Sequence, residues 1–364
     1  MTLAKLKTIL IAVRMILMHL RRRPSPAVTA PALLALILAG AGCSALPQDD
    51  GRVKVAAGFY PLAYVAERVG GDHADVTNLT KPGTDAHDSE MSLQATATLA
   101  EADLVVLNGG FQPEVDASAE SNATGKVLDV ADVLDLLPAE EHSHDHAHEG
   151  EGDHDEHGDD HGDDHGDEDG DEDGHAHEED GHDEDGHDGH DHGDTDPHFW
   201  LDPVRMATYA ERLADELAGI DPEHADDYRA SADELVDELT ALDAEYTERL
   251  SGCAVNTVVV SHDAFGYLRR YGLEFEPVAG LSPGAEPTPA DLKHISEVID
   301  DLGVTTVFTE TLAPSKLTEQ LAADAGVRTA VLDPVEGLTS DDEDADYLSL
   351  MRSNLDQLTK ANRC

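Results

Sequence analysis

Three histidines stand in turns punctuated by proline or glycine and flanked by carboxylates. His87 lies in Thr84-Asp85-Ala86-His87-Asp88, directly after Pro82-Gly83. His198 lies in Asp196-Pro197-His198-Phe199-Trp200-Leu201-Asp202-Pro203, and His262 in Ser261-His262-Asp263-Ala264-Phe265-Gly266-Tyr267. Neutral imidazoles are good zinc donors, and three of them suit zinc better than manganese, which prefers oxygen. A single histidine so placed is ordinarily structural. Three, each just past a strand or at the opening of a helix, favour a metal site, because open α/β sheets bind ligands along the carboxyl edge of their strands. Three histidines around zinc with a bound water also make a hydrolase centre. No motif sets a general base beside them, although Asp88 and Glu90 are close in sequence.

A second supply of imidazole lies in residues 139–196, which hold no Lys or Arg. His142, His144, His146, His148, His154, His157, His161, His165, His175, His177, His182, His187, His190 and His192 alternate there with Asp, Glu and Gly. Such repeats have no apolar side chains to bury, so no fixed fold is expected. A long insert is nevertheless tolerable, since each doubling of loop length costs only about 0.6 kcal/mol. Histidines beside carboxylates can bind divalent metals. Ligands that must be ordered at each binding event give weak, exchanging sites, and their loading fails as acid protonates them.

The elements that must hold the three turns alternate in type. Arg52–Phe59 reads as a strand running into a turn, Pro61–Val69 as a helix, and Asp75–Leu79 as a strand. Leu93–Ala100 reads as a helix, and Asp103–Gly109 as a buried strand ended by glycine. The alternation returns in the strands Thr257–Val260, Val304–Thr309 and Arg328–Leu332. Strands alternating with helices imply parallel sheets covered on both faces. Between the two groups, Tyr228, Ala232, Leu235, Leu239, Leu242, Tyr246 and Leu250 trace one apolar stripe. Asp221-Pro222 supplies the helix start and Gly252 its end. The expected fold is therefore α/β: two lobes with mainly parallel sheets, joined by one long rigid helix. The boundaries are residues 44–220 for the first lobe, interrupted at 139–196, then 221–252 for the linking helix and 253–364 for the second lobe.

The 364 residues carry a formal charge of −55, about half of it in the His-rich tract. That excess excludes nucleic acid and anionic lipid surfaces as partners and concentrates cations. The start of the chain reads as an export signal. Arg21-Arg22-Arg23 precedes the apolar run Ala32–Ala41, which is too short to span a bilayer. Gly40-Ala41-Gly42-Cys43 resembles a lipoprotein signal, with Cys43 the lipidated residue and Gly40 where an aliphatic side chain is usual. The extra apolar stretch Ile9–Leu20 points to a translation start near Met18. Residues 1–43 are thus expected to be a signal peptide. The mature part keeps two cysteines, Cys253 and Cys364, which in an oxidising compartment are expected to pair.

Taken together, the turns resemble the metal-specific substrate-binding lipoproteins of ABC transporters, a family with zinc and manganese branches. The resemblance rests on Pro82–Glu90, Ala102–Gly109, Asp196–Pro203, Ser261–Tyr267, Gly280-Leu281-Ser282-Pro283-Gly284-Ala285-Glu286-Pro287 and Phe308-Thr309-Glu310. It implies a metal site in the interlobe cleft, with His87, His198 and His262 as ligands. The manganese branch typically has a carboxylate at the third position, so His262 implies Zn2+ as the transported ligand. For a fourth ligand the resemblance implies Asp333 of Leu332-Asp333-Pro334, with Glu310 or water in reserve. Ala86 stands where the family usually has Pro. The implied protein is a monomeric receptor rather than an enzyme, outside the cytoplasm, lipid-anchored to the membrane or periplasmic, serving the permease of an ABC importer. A surface protein that only stores or buffers zinc is the alternative.

Overall fold

The computed structural model describes residues 51–139, 195–339 and 345–364. Cys43, the signal segment and the body of the His-rich tract lie outside the described residues.

The first lobe is a parallel sheet of β1 (Val53–Ala57), β2 (Ala74–Asn78), β3 (Leu104–Leu107) and β4 (Lys126–Asp129), in the order β2-β1-β3-β4. Helix α1 (Tyr60–Gly70) follows β1, while α2 (Leu93–Glu101) and α3 (Pro113–Asn122) flank β3 in sequence. Successive side chains of a strand point to opposite faces. Val55, Ala57, Leu104 and Val106 accordingly join the main core, and Ala56, Val105 and Leu107 pack with Leu99 of α2 and Val115 of α3. This is why the strands are apolar without alternation.

The expected long helix joins the lobes, and the helix before it packs along it to make a hairpin. Asp202 caps α4 (Pro203–Ile220) by accepting from Val204 N, with Pro203 at its first position. After a 3-10 turn over Pro222–His224, α5 (Ala225–Leu250) packs along α4. Its 26 residues give a rod of about 39 Å. The buried residues of α5 are the seven of the apolar stripe. The helix reaches α1 in the first lobe and the C-terminal helix in the second. Past its end, Gly252 takes φ +78°, which a glycine adopts without strain.

The second lobe repeats the first. Its strands β5 (Thr257–Val260), β6 (Glu274–Pro277), β7 (Thr306–Thr309) and β8 (Arg328–Val331) are parallel in the order β6-β5-β7-β8. Val259 and Val307 pack with Ile295 and Ile299 of α6 (Pro289–Leu302) and Leu321 of α7 (Lys316–Ala325). Val258 and Val260 face the main core, which runs unbroken through both lobes and the hairpin. Helix α8 (Tyr347–Asn362) ends the chain, and Cys253 is joined to Cys364 by a disulfide. Asn362 O accepts from both Ala254 N and Val255 N beside it. No helix of the described residues is long and apolar enough to cross a membrane.

Candidate metal centre

Each histidine of the three turns is fixed from behind. His198 follows Asp196, whose Oδ1 accepts from His198 N at 2.9 Å and sits 2.8 Å from its ring Nδ1. Asn108, at the end of β3, donates from Nδ2 to the Pro197 carbonyl at 3.0 Å. His262 is the second residue past β5, and its Nδ1 lies 2.5 Å from Oε1 of Glu310, the residue after β7. Ser261 Oγ donates to the same carboxylate oxygen. The turn after β2 carries His87, whose backbone N–H donates to Asp85 Oδ1 at 2.9 Å. A carboxylate on Nδ1 favours the tautomer that leaves Nε2 free as a metal donor.

These turns bring His87, His198 and His262 together, and Glu336 completes the group. One donor atom from each of the four lies within 4.8 Å of all the others. The Nε2 atoms of His87 and His198 are 3.4 Å apart. Glu336 Oε1 lies 3.4 Å from His87 Nε2, 3.8 Å from His198 Nε2 and 3.7 Å from His262 Nε2. A tetrahedron with zinc–ligand bonds of about 2.0–2.1 Å has edges of about 3.3–3.4 Å. The four donors are therefore near zinc spacing before any ion is considered. His198 and His262 are fully buried, and His87 is 7% exposed.

Electrostatics matches a cation at the centre. Burial would depress His262, but the Glu310 carboxylate, aided by Glu336, outweighs it and pushes the imidazole up to about 9. Burial would likewise raise Glu336, yet the neighbouring His87 and His262 hold it below the usual carboxylate range. Asp196 goes the other way: burial pushes it up to about 7, against the bond from His198 N. The positive charge favoured on His262 and the negative charge on Glu336 thus stabilise each other where a divalent ion would do so better.

Asp333, expected as the fourth ligand, is outside the cluster, and Glu336 takes that place. The Asp333 carboxylate is used locally: Oδ1 accepts from Val335 N at 2.7 Å and Oδ2 from Thr311 Oγ1 at 2.8 Å. Asn354 pins the same residue, accepting from Asp333 N at 2.9 Å and donating to its carbonyl at 2.6 Å. The turn this builds forces Val335 to φ +59°, a left-handed conformation that a β-branched residue adopts only under strain. That kink delivers the next residue, Glu336, to the histidines. Glu310, the reserve, stands behind His262. The one sequence signal for Glu336 was a carboxylate in the apolar turn Val335-Glu336-Gly337-Leu338, just past a strand. Ala86 is fully buried, and its carbonyl accepts from Gln112 Nε2.

The two lobes meet over the centre. Gly83 N, beside His87, donates to the Leu338 carbonyl at 2.8 Å, and Trp200 Nε1 donates to the Pro334 carbonyl at 2.7 Å. A cavity of about 370 Å³ bounded by Leu137, Asp196, Arg205, Asp263, Tyr267 and Arg270 shares Asp196 with this region, but none of the four clustered donors lines it. The base of the His-rich tract is closed by an antiparallel bridge between Pro138 and Thr195. Tyr267 OH accepts from Leu137 N at 3.0 Å and donates to Asp196 O at 2.7 Å, tying both ends to the second lobe.

Comparison with known proteins places this geometry in a context. The family model described as the periplasmic zinc-uptake complex component A matches residues 55–361. The zinc-binding protein AdcA of Streptococcus pyogenes serotype M6 is 34% identical over 85% of this chain and 56% of its own length. The chain thus spans little more than half of that relative. The high-affinity zinc uptake system protein ZnuA of Bacillus subtilis is 28% identical over 84% of this chain and 86% of its own. Among solved structures, Zn(II)-bound AdcA from Streptococcus pneumoniae aligns with a TM-score of 0.64 and 27% identity, over 86% of this chain and 58% of that one.

Proposed function

We propose, because this chain belongs to the family of the periplasmic zinc-uptake complex component A, that it captures zinc outside the cytoplasm and hands it to an ABC importer. The observation that carries this reading is the buried cluster of His87, His198, His262 and Glu336, with edges near those of a zinc tetrahedron. Zinc bound there is cargo. The three Nε2 atoms and Oε1 of Glu336 hold it, Asp196 and Glu310 orient two of the imidazoles, and the single carboxylate offsets half of its charge. Manganese, which prefers oxygen, is a poorer match to a set with three nitrogens.

Release follows from burial. Donors this enclosed cannot pass zinc to a permease until the turns over them part, so delivery requires the contacts at Gly83–Leu338 and Trp200–Pro334 to open. Four protein donors leave no coordination position for a nucleophilic water, which argues for a receptor over a hydrolase. The His-rich tract collects zinc weakly and passes it to the cleft from its closed base, three residues from His198. Lipidation at Cys43 holds the monomeric protein at the outer face of the membrane. In this role the chain is no enzyme.

The test is a zinc titration of the purified exported protein against a competing chelator, paired with zinc-limited growth of cells lacking the gene. One tight equivalent with weaker additional ones, and a growth defect relieved by added zinc, are expected. Tighter binding of manganese than of zinc would overturn the reading. His198→Ala should abolish the tight equivalent and leave the fold intact.

A further inference from the structure

The segment Asn108–Gln112 between β3 and α3 supplies no metal donor, yet it touches the turns of both first-lobe histidines. Asn108 Nδ2 donates to the carbonyl of Pro197, one residue before His198. Gln112 Nε2 lies 3.1 Å from the carbonyl of Ala86, one residue before His87. Between them the Phe111 ring sits edge-on to His87, 4.6 Å between centroids, and 6.1 Å from His198. Both amides are buried.

The two grips differ in kind. His198 is also bolted through Asp196, by backbone and by ring, whereas the turn of His87 has no strand or helix of its own between Thr80 and Ser92. Gln112 Nε2 reaches three acceptors there: Thr80 Oγ1 at 2.9 Å, Ala86 O at 3.1 Å and Ser89 Oγ at 2.7 Å. An amide nitrogen has only two hydrogens. Thr80 Oγ1 spends its own proton on Gly58 O at 2.8 Å, so it accepts one of them. The other is shared between Ala86 O and Ser89 Oγ, which flank His87 on either side. Gly58 is what lets the amide sit there, since a Cβ on it would come 2.7 Å from Gln112 Oε1.

We propose that Gln112 is a positioning residue for the metal centre: its side-chain amide latches the Thr80–Ser92 turn and so sets how long His87 stays on the ion. The proposal rests on the zinc-receptor reading and adds to it a residue that controls release. Without the latch the turn is still held at Thr80 by Gly58, at Gly83 by Leu338 and at Met91 by Glu114. It loses its grip on Ala86 and Ser89, and His87, the least buried of the three histidines, leaves first. Zinc then departs faster while its other ligands are unchanged.

The test uses the full-length exported protein and stopped-flow zinc release into excess chelator, with the melting temperature of the apo-protein measured alongside. Gln112→Met keeps the length of the side chain and removes its donors. We expect zinc release to quicken about tenfold or more, with the apo melting temperature within a few degrees of the parent. Should that variant melt much lower, Gln112→Asn, which keeps the amide but withdraws it by a methylene, is judged by the same two measurements. Gln112→Met in a His87→Ala background should quicken release no further than His87→Ala alone, because a latch that acts through His87 has nothing left to hold. A parental release rate in Gln112→Met, or full additivity with His87→Ala, overturns the proposal. A parent protein that binds no zinc would instead overturn the receptor reading itself.

Discussion

The indole of Trp200 donates to the carbonyl of Pro334 across 2.7 Å and 134 residues of chain. Trp200 stands two residues after His198, and Pro334 two residues before Glu336. One buried hydrogen bond thus fixes the distance between a ligand turn of the first lobe and the carboxylate turn of the second. Tyr347 OH donates to Trp200 O at 2.6 Å, so the indole's own backbone is held by α8.

Replacing Trp200 by Phe keeps most of the apolar contact with Phe59 and Phe111 and leaves the Pro334 carbonyl unpaired. The expected loss of stability is about 1–3 kcal/mol, the cost of an unsatisfied buried acceptor. Zinc should also dissociate faster. Denaturant melts and chelator-driven release measure the two; unchanged values in both would mean that the bond does not hold the cleft.

Glu336 and Asp333 are three residues apart and do different work. Glu336→Gln removes the one anionic donor of the cluster, and zinc affinity should fall by about a hundredfold or more, roughly 2.8 kcal/mol. Asp333→Asn should cost less than about tenfold, or 1.4 kcal/mol, because it weakens the turn without touching a donor. Competitive zinc titration of both variants decides; the reverse order would restore Asp333 as the ligand.

The disulfide between Cys253 and Cys364 closes a separation of 111 residues. In the chain-entropy model such a link is worth roughly 4–5 kcal/mol. Changing both cysteines to serine should lower unfolding stability by up to that amount and leave zinc affinity unaltered, since neither cysteine belongs to the metal cluster. Thiol labelling of the denatured, unreduced protein should find no free thiol at these positions.

Acid should act on the apo-protein through Asp116. Its Oδ2 accepts from Gly110 N at 2.8 Å, in the segment that carries Gln112, while burial pushes the carboxyl up to about 6. A raised folded pKa means the protonated form is favoured by folding. Asp116 therefore stabilises the apo-fold most at low pH, and that contribution is lost as pH rises from about 4 through 6. The stability of the parent minus that of Asp116→Asn should fall across this window and stay flat above it. A flat difference throughout would remove the burial argument.

The bridge between Pro138 and Thr195, with Asp196 N donating to Leu137 O at 2.8 Å, puts the two ends of the tract side by side. Replacing residues 140–194 with a two-residue Asn-Gly turn, which suits such a hairpin, should preserve the tight zinc equivalent and remove the weak ones. Loss of the tight equivalent would show that the tract supplies a ligand.

The turns of His87, His198 and His262 were legible in the sequence because Pro, Gly and flanking carboxylates act locally: they fix a turn within a few residues. So was the stripe on α5, where period-3.6 burial leaves its mark on one continuous segment. The stripe of α4, Met206, Tyr209, Leu213 and Leu217, gave no sign in the sequence that this helix packs along α5 as well as against α1. Gln112 was unreadable for a similar reason, as its three acceptors lie 23 to 32 residues away. The fourth donor marks the limit most clearly. Asp333 and Glu336 both carry a carboxylate able to bind zinc, and both lie within five residues of the end of β8. What separates them is where Asn354, Thr311 and Trp200 hold the intervening backbone, and the left-handed kink at Val335 that results. A chain of amino acids states which groups could coordinate a metal; long-range contacts decide which oxygen arrives 3.4 Å from a histidine nitrogen.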